Sequence, residues 1–167
     1  RSVAGGAMPG GSLRVAVAGV TQLNPSLESQ YGFRTSDPAA ALERALPRAR
    51  TESDLVVVLA YVPATQGAAL AARLGPLADV VVVANSLSGD RPPSLDGPVR
   101  VVYAYYKTQK LGLLALRLDG RTIGTAAWHE IKLDAPLPRD PLADQIVAEA
   151  KAAVKQVREA RHAAATN

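Results

Sequence analysis

The sequence contains no cysteine. That excludes a disulfide framework, a thiolate metal site and a c-type haem attachment motif, and it removes cysteine usage as a guide to compartment. Aromatic residues are scarce: Phe33, Trp128 and five tyrosines in 167 residues. Valine, leucine and alanine must therefore fill the interior. No apolar run approaches the ~20 residues that a membrane-spanning helix needs, and no signal-peptide pattern is present. Charge of one sign is also lacking in any concentrated form. The fourteen arginines and five lysines are scattered, and the net charge is only +4. A nucleic-acid groove or an anionic-membrane surface is not expected from such a pattern. Histidine occurs twice, at His129 and His162, too sparsely for a histidine-based metal or catalytic cluster.

What is present is the composition of one folded domain. Nearly half of the residues are apolar, and the length suffices to bury a substantial core. The most informative stretch runs from Asp54 to Asn85. Leu55-Val56-Val57-Val58-Leu59 and Val80-Val81-Val82-Val83 are β-branched runs without alternation, the pattern of strands buried on both faces of a parallel sheet. Between them Ala68, Leu70, Ala71, Ala72 and Leu74 suit a crossover helix, ended by Gly75-Pro76. Such a unit places the carboxyl ends of both strands on one edge, where open α/β sheets bind ligands. Tyr61 is expected just after the first strand and Asn85-Ser86 just after the second.

Before this unit, residues 1–12 hold four glycines and read as a flexible linker. Arg1, in place of Met, suggests processing or excision from a longer precursor. Leu13 to Val20 predicts a strand, and Thr21 to Ser36 a long loop. Ser36-Asp37-Pro38 is a helix start, with Ala41, Leu42, Ala45 and Leu46 on one face. After the loop from Ser86 to Pro98, Val99 to Tyr106, Lys110 to Leu118 and Arg121 to Leu133 predict strands of an antiparallel meander, with a tight turn at Asp119-Gly120. Pro141 begins a long helix with Leu142, Ile146, Ala150, Val154 and Val157 as its stripe. The expected fold is α/β: a partly parallel sheet with crossover helices, then the meander, then the C-terminal helix. The expected organisation is a linker (1–12), an α/β domain (13–139) and a helix (140–167).

The order of these pieces resembles the second half of the metallophosphoesterase domain, calcineurin-like in type, of the bacterial 5′-nucleotidase family. That family shows a strand ending Gly-Leu-Thr, a helix begun by Asp-Pro, strands reading Val-Leu-Ser-His-Leu-Gly and Asp-Val-Ile-Ile-Gly-Gly-His-Thr-His, and a Gly-Lys-x-Leu-Gly turn. The counterparts here are Gly19-Val20-Thr21, Asp37-Pro38, Val58-Leu59-Ala60-Tyr61-Val62-Pro63, Asp79 to Leu87 and Lys107-Thr108-Gln109-Lys110-Leu111-Gly112. The resemblance implies half of an αββα sandwich. In the family, histidines at these two strand ends bind a pair of divalent metals that polarise phosphate and activate water. Aligned residue by residue, the first histidine falls on Tyr61 and the other two on Asn85 and Leu87. A phenol, a neutral amide and an aliphatic side chain are poor or impossible ligands for such metals. The family's remaining ligands belong to an earlier half without a counterpart in these residues.

The resemblance thus implies a degenerate, non-catalytic module serving a structural or protein-interaction role, with no metal site and no cofactor. Its partner is another chain, or the missing first half, covering an exposed sheet side. A phosphoesterase active only when complemented, and an anion- or nucleotide-binding protein using Tyr61, Asn85, Ser86 and Arg91, are the alternatives. An extracytoplasmic location follows only by analogy with the family. Among single residues, His129 reads as a partly exposed strand histidine. Ser86 or Ser88 with His129 and Asp90 lacks the Gly-x-Ser-x-Gly elbow of a hydrolase triad. Lys107 and Lys110 suit either a phosphate contact or a solvated turn. Strand alternation puts Tyr103 and Tyr105 on one face and Tyr106 on the other.

Overall fold

The structure is a computed structural model, described over residues 12–22, 25–32, 34–85, 91–105, 110–133 and 138–165. Expectations falling on residues 1–11, 86–90 and 106–109 lie outside the described residues. These include the linker glycines, Ser86, Leu87, Ser88, Asp90, Tyr106 and Lys107. The chain divides into two compact units, Arg1–Leu133 and Asp134–Asn167.

In the first unit the apolar runs form strands where their β-branching favours them. The elements are β1 (Val15–Thr21), α1 (Pro25–Tyr31), α2 (Pro38–Glu52), β2 (Leu55–Pro63), α3 (Ala64–Leu74), β3 (Val80–Asn85), β4 (Arg100–Tyr103), β5 (Lys110–Asp119) and β6 (Thr122–Lys132). Strands β1-β2-β3-β4 make one sheet in that order, and every neighbouring pair is parallel. The expected mixture of parallel and antiparallel structure is therefore present, with one redistribution. The Val99–Tyr106 stretch contributes β4 to the parallel sheet, so among the described residues the antiparallel part is the β5-β6 hairpin, with one isolated antiparallel bridge between Ser94 and Val101 of β4. The long connection before β4 permits this, because a parallel neighbour needs a crossover and a hairpin turn cannot supply one.

Helices α2 and α3 pack on the same face of the sheet. Leu42, Leu46, Leu70 and Leu74 meet Val56, Val58, Val81 and Val83 there, all essentially without solvent exposure. Burying each such side chain contributes roughly 1.5–3 kcal/mol relative to an exposed position. The start of α2 is fixed by Asp37, whose Oδ1 accepts from the Ala40 N–H at 2.7 Å, with Pro38 opening the helix. At the end of α3, Gly75 takes φ +48°, a left-handed conformation suited to glycine, and its N–H returns to the Ala71 carbonyl. α3 also comes close to the sheet at Gly67, where an added Cβ would sit 2.6 Å from Val83 Cγ2.

The opposite face of the sheet carries the hairpin. Leu55, Val80 and Val102 form a second apolar cluster with Ile123, and Leu114, Leu116, Leu118, Ala126 and Trp128 pack onto it. Asp119 and Thr122 pair across the expected tight turn, and Gly120 supplies φ +64°.

Two expectations are corrected. The Thr21–Ser36 segment is not simply a loop, because it contains α1; Pro25 opens that helix, and Gly32 at φ +71° follows its last residue. The Glu28 carboxylate holds the next stretch by accepting from both the N–H and the hydroxyl of Thr35. These hydrogen bonds lower the Glu28 pKa. Tyr103 and Tyr105 do not share a face. Tyr103 packs into the helix-side core, whereas Tyr105 lies beyond the end of β4, where strand alternation no longer applies, and contacts Trp128.

The second unit contains α4 (Pro141–Ala165). Asp140 Oδ1 accepts from the Leu142 N–H at 2.9 Å, capping its first turn. Leu142, Ile146, Val147, Val154 and Val157 give it an apolar stripe. No helix among the described residues is long and apolar enough to cross a membrane.

Candidate functional site

The sheet's parallel construction brings the carboxyl ends of β1, β2, β3 and β4 to one edge. Thr21 is in register with Tyr61, Pro63 with Asn85, and Val83 with Tyr103. Tyr61 and Asn85 thus lie on adjacent strands at the same edge, as the sequence predicts. They lie within their strands and not after them, because β2 continues through Val62-Pro63 and β3 through Asn85. The Tyr61 carbonyl accepts from the Gln22 N–H at 2.8 Å. A register irregularity between Ala60 and Pro63 separates Tyr61 from the regular pairing that precedes it.

The parity of β2 decides where Tyr61 points. Val56, Val58, Ala60 and Val62 are buried on the helix side. Val57, Leu59 and Tyr61 therefore take the other face, and Tyr61 is 51% exposed there, beside Leu59 at 47% and, on β1, Val17 at 61%. Arg91 is exposed in the segment preceding β4.

This edge does not fit the pair of divalent metals implied by the family resemblance. The phenol of Tyr61 is a poor donor for such ions, and Leu87 offers no donor whatever its position. Among the described residues no cluster of His, Asp or Glu would hold a metal ion. His129 lies on β6 opposite Leu113. The pairs Leu114–Trp128 and Leu116–Ala126 face the sheet, so alternation puts His129 on the hairpin's outer face, with exposed Leu111, Leu113 and Ile131. It is directed away from Tyr61.

The topology also bears on ligand binding. Ligand crevices on open α/β sheets form where strand order reverses and helices pass to the other face. Here the order runs without reversal, and α2 and α3 occupy one face. No such switch point arises among the described residues.

A polar cluster not anticipated from the sequence lies where β5 and β6 meet the end of β4. The Tyr105 hydroxyl donates to Glu130 Oε2 at 2.6 Å and accepts from Trp128 Nε1 at 3.3 Å. Lys110 Nζ is 2.7 Å from Glu130 Oε1 and 5.2 Å from the centroid of the Tyr105 ring. Lys110 is thereby engaged within the protein. Its hydrogen bond, followed by that of Tyr105, holds the Glu130 carboxyl below the usual range, while desolvation and then the bond to Glu130 push the Tyr105 phenol up. The sequence signal was Gly112, a glycine inside a strand, which marks close approach of another group. That group is Trp128, whose indole would lie 2.0 Å from a Cβ at position 112.

The amino end of the sheet holds a second set of charges. Asp54 Oδ2 accepts from the Arg14 N–H at 2.9 Å, and Arg121 lies 3.1 Å from Asp54 Oδ1. The hydrogen bond from the Arg14 N–H is the largest influence lowering the Asp54 pKa. Because the folded value is depressed, this contact stabilises above the ordinary carboxylate range and is lost as pH falls through the folded value. These residues join strand starts to the hairpin turn and lie at the end opposite Tyr61 and Asn85.

No family model matches the chain, and no curated protein matches it. Among solved structures it is similar to a protein from Staphylococcus aureus assigned as a 5′-nucleotidase and crystallised in complex with alpha-ketoglutarate. The TM-score is 0.62 and the sequence identity 14%. The similarity covers 85% of this chain and 32% of that one. At this identity the likeness concerns the fold, and it describes a part of a 5′-nucleotidase-like architecture.

Proposed function

We propose that this chain is a degenerate metallophosphoesterase-type module that does not hydrolyse phosphate esters by itself and serves as a structural, protein-interacting part of a larger assembly. The observation that carries the reading is the uncovered apolar face formed by Val17, Leu59 and Tyr61. Parallel sheets are stable with both faces covered, yet here the hairpin covers only part of the face opposite the helices. Among the described residues no strand pairs with the outer edge of β1. A second polypeptide segment laid over β1 and β2 satisfies both requirements. The residue types at the carboxyl edge support the non-catalytic part of the reading, because Tyr61 and Asn85 stand where the resembled family has histidines. An extracytoplasmic location belongs to the same proposal and rests on family analogy.

The open face is tested by sedimentation velocity on the chain alone. Without its partner it is expected to self-associate at micromolar concentration, and the double variant V17K/L59K to sediment as a monomer with an unchanged circular-dichroism spectrum. A parent chain that is monomeric at all concentrations, with the variant behaving identically, would contradict the proposal.

A further inference from the structure

We propose that the cleft between the parallel sheet and the β5-β6 hairpin is a binding site for a small, uncharged, largely apolar molecule. Val57, Val82 and Val102 of the sheet and Leu114, Leu116 and Trp128 of the hairpin line a cavity of about 500 Å³. That lies within the range of ligand pockets, roughly 300–1,000 Å³.

The aromatic wall of the cleft is built in advance. Trp128 lies over Gly112 in a position that any side chain there would obstruct. Its ring is 6.2 Å from that of Tyr105, and the Glu130 and Lys110 contacts fix Tyr105 in turn. Residues from three segments thus hold one surface rigid, which lowers the entropic cost of binding against it.

The same contacts set the ligand's chemistry. Lys110 and Glu130 neutralise each other, the Tyr105 hydroxyl both donates and accepts, and the indole N–H is occupied. Polar groups at this wall are directed at one another. An anion or a nucleotide would have to break these contacts, whereas an aromatic or branched aliphatic molecule gains apolar burial without disturbing them.

Trp128 is the only tryptophan in the chain, so it reports on this cleft alone. Titrating the full chain with N-phenyl-1-naphthylamine, an uncharged aromatic fluorophore, is expected to give saturable, single-site quenching of Trp128 with energy transfer to the probe. Val82→Phe fills the cavity and is expected to weaken binding at least tenfold with an unchanged circular-dichroism spectrum. Leu113→Lys, on the outer face of the hairpin, is expected to bind as the parent does. If Val82→Phe does not fold, Leu116→Phe is read in its place. Absence of saturable binding, or binding kept in the filled variant, would overturn the site. Loss in Leu113→Lys alone would assign the probe to the hairpin's outer face and overturn it equally. The partner-covered face proposed above stands or falls separately, by the sedimentation result.

Discussion

Replacing Asp79 by alanine is expected to destabilise the first unit by ~2–4 kcal/mol, because one carboxylate joins three elements at the amino end of the sheet. Asp79 Oδ2 accepts from the Val56 N–H at 2.7 Å and pairs with Arg50 Nη1 at 2.5 Å. Arg50 Nη2 donates in turn to the Asp54 carbonyl at 3.0 Å. Val56 has no solvent exposure, so its N–H would be left without a partner, and Arg50, its side chain 24% exposed, would lose its counter-ion. Urea unfolding should show the loss as a lower midpoint with the slope unchanged. Asp79→Asn retains an acceptor for Val56 and should recover part of the difference. A change below ~1 kcal/mol in the alanine variant would mean that α2 is not tied to β2 and β3 through this residue.

The second large effect is expected from a single methyl group, in Gly112→Ala. An added Cβ would meet Trp128 Cη2 at 2.0 Å and Cζ2 at 2.3 Å. Displacing the indole gives up its N–H bond to Tyr105 and its contacts in the second apolar cluster. Overpacking of this kind costs ~1–3 kcal/mol, and the displaced ring should add a red shift of tryptophan emission. Gly124→Ala is the matching control. Its Cβ would meet only the Asp119 carboxylate at 2.2 Å, the far end of an exposed side chain at the hairpin tip, held only by a 3.9 Å ion pair with exposed Arg117. Equal effects from the two substitutions would show that the Trp128 packing is not what Gly112 protects.

The contrast between these residues explains how far the sequence could be read. Runs such as Val80–Val83 announce buried parallel strands by composition alone, and Asp37-Pro38 announces a helix start by local chemistry. The parallel pairing of β4 is not local. It depends on which surface the chain meets after a long connection, and Val99–Tyr106 suits either arrangement. α1 escaped because seven residues give too short a periodic signal, although proline at its first position was visible. At the site, the alignment located Tyr61 and Asn85 on neighbouring strand ends, since strand order and register fix that edge. The Tyr105–Trp128–Glu130–Lys110 cluster was not legible, because its members meet only after the hairpin has closed and docked. Only Gly112 hinted at it.

The most direct test of the central claim is native mass spectrometry, with metal analysis, on the protein isolated intact from its source. A complex with a second polypeptide, carrying no stoichiometric divalent metal, is the expected result, with hydrogen exchange at Val17, Leu59 and Tyr61 slower than in the chain alone. Two divalent ions per complex, with phosphate-ester hydrolysis abolished by a chelator, would contradict it and establish a complemented phosphoesterase.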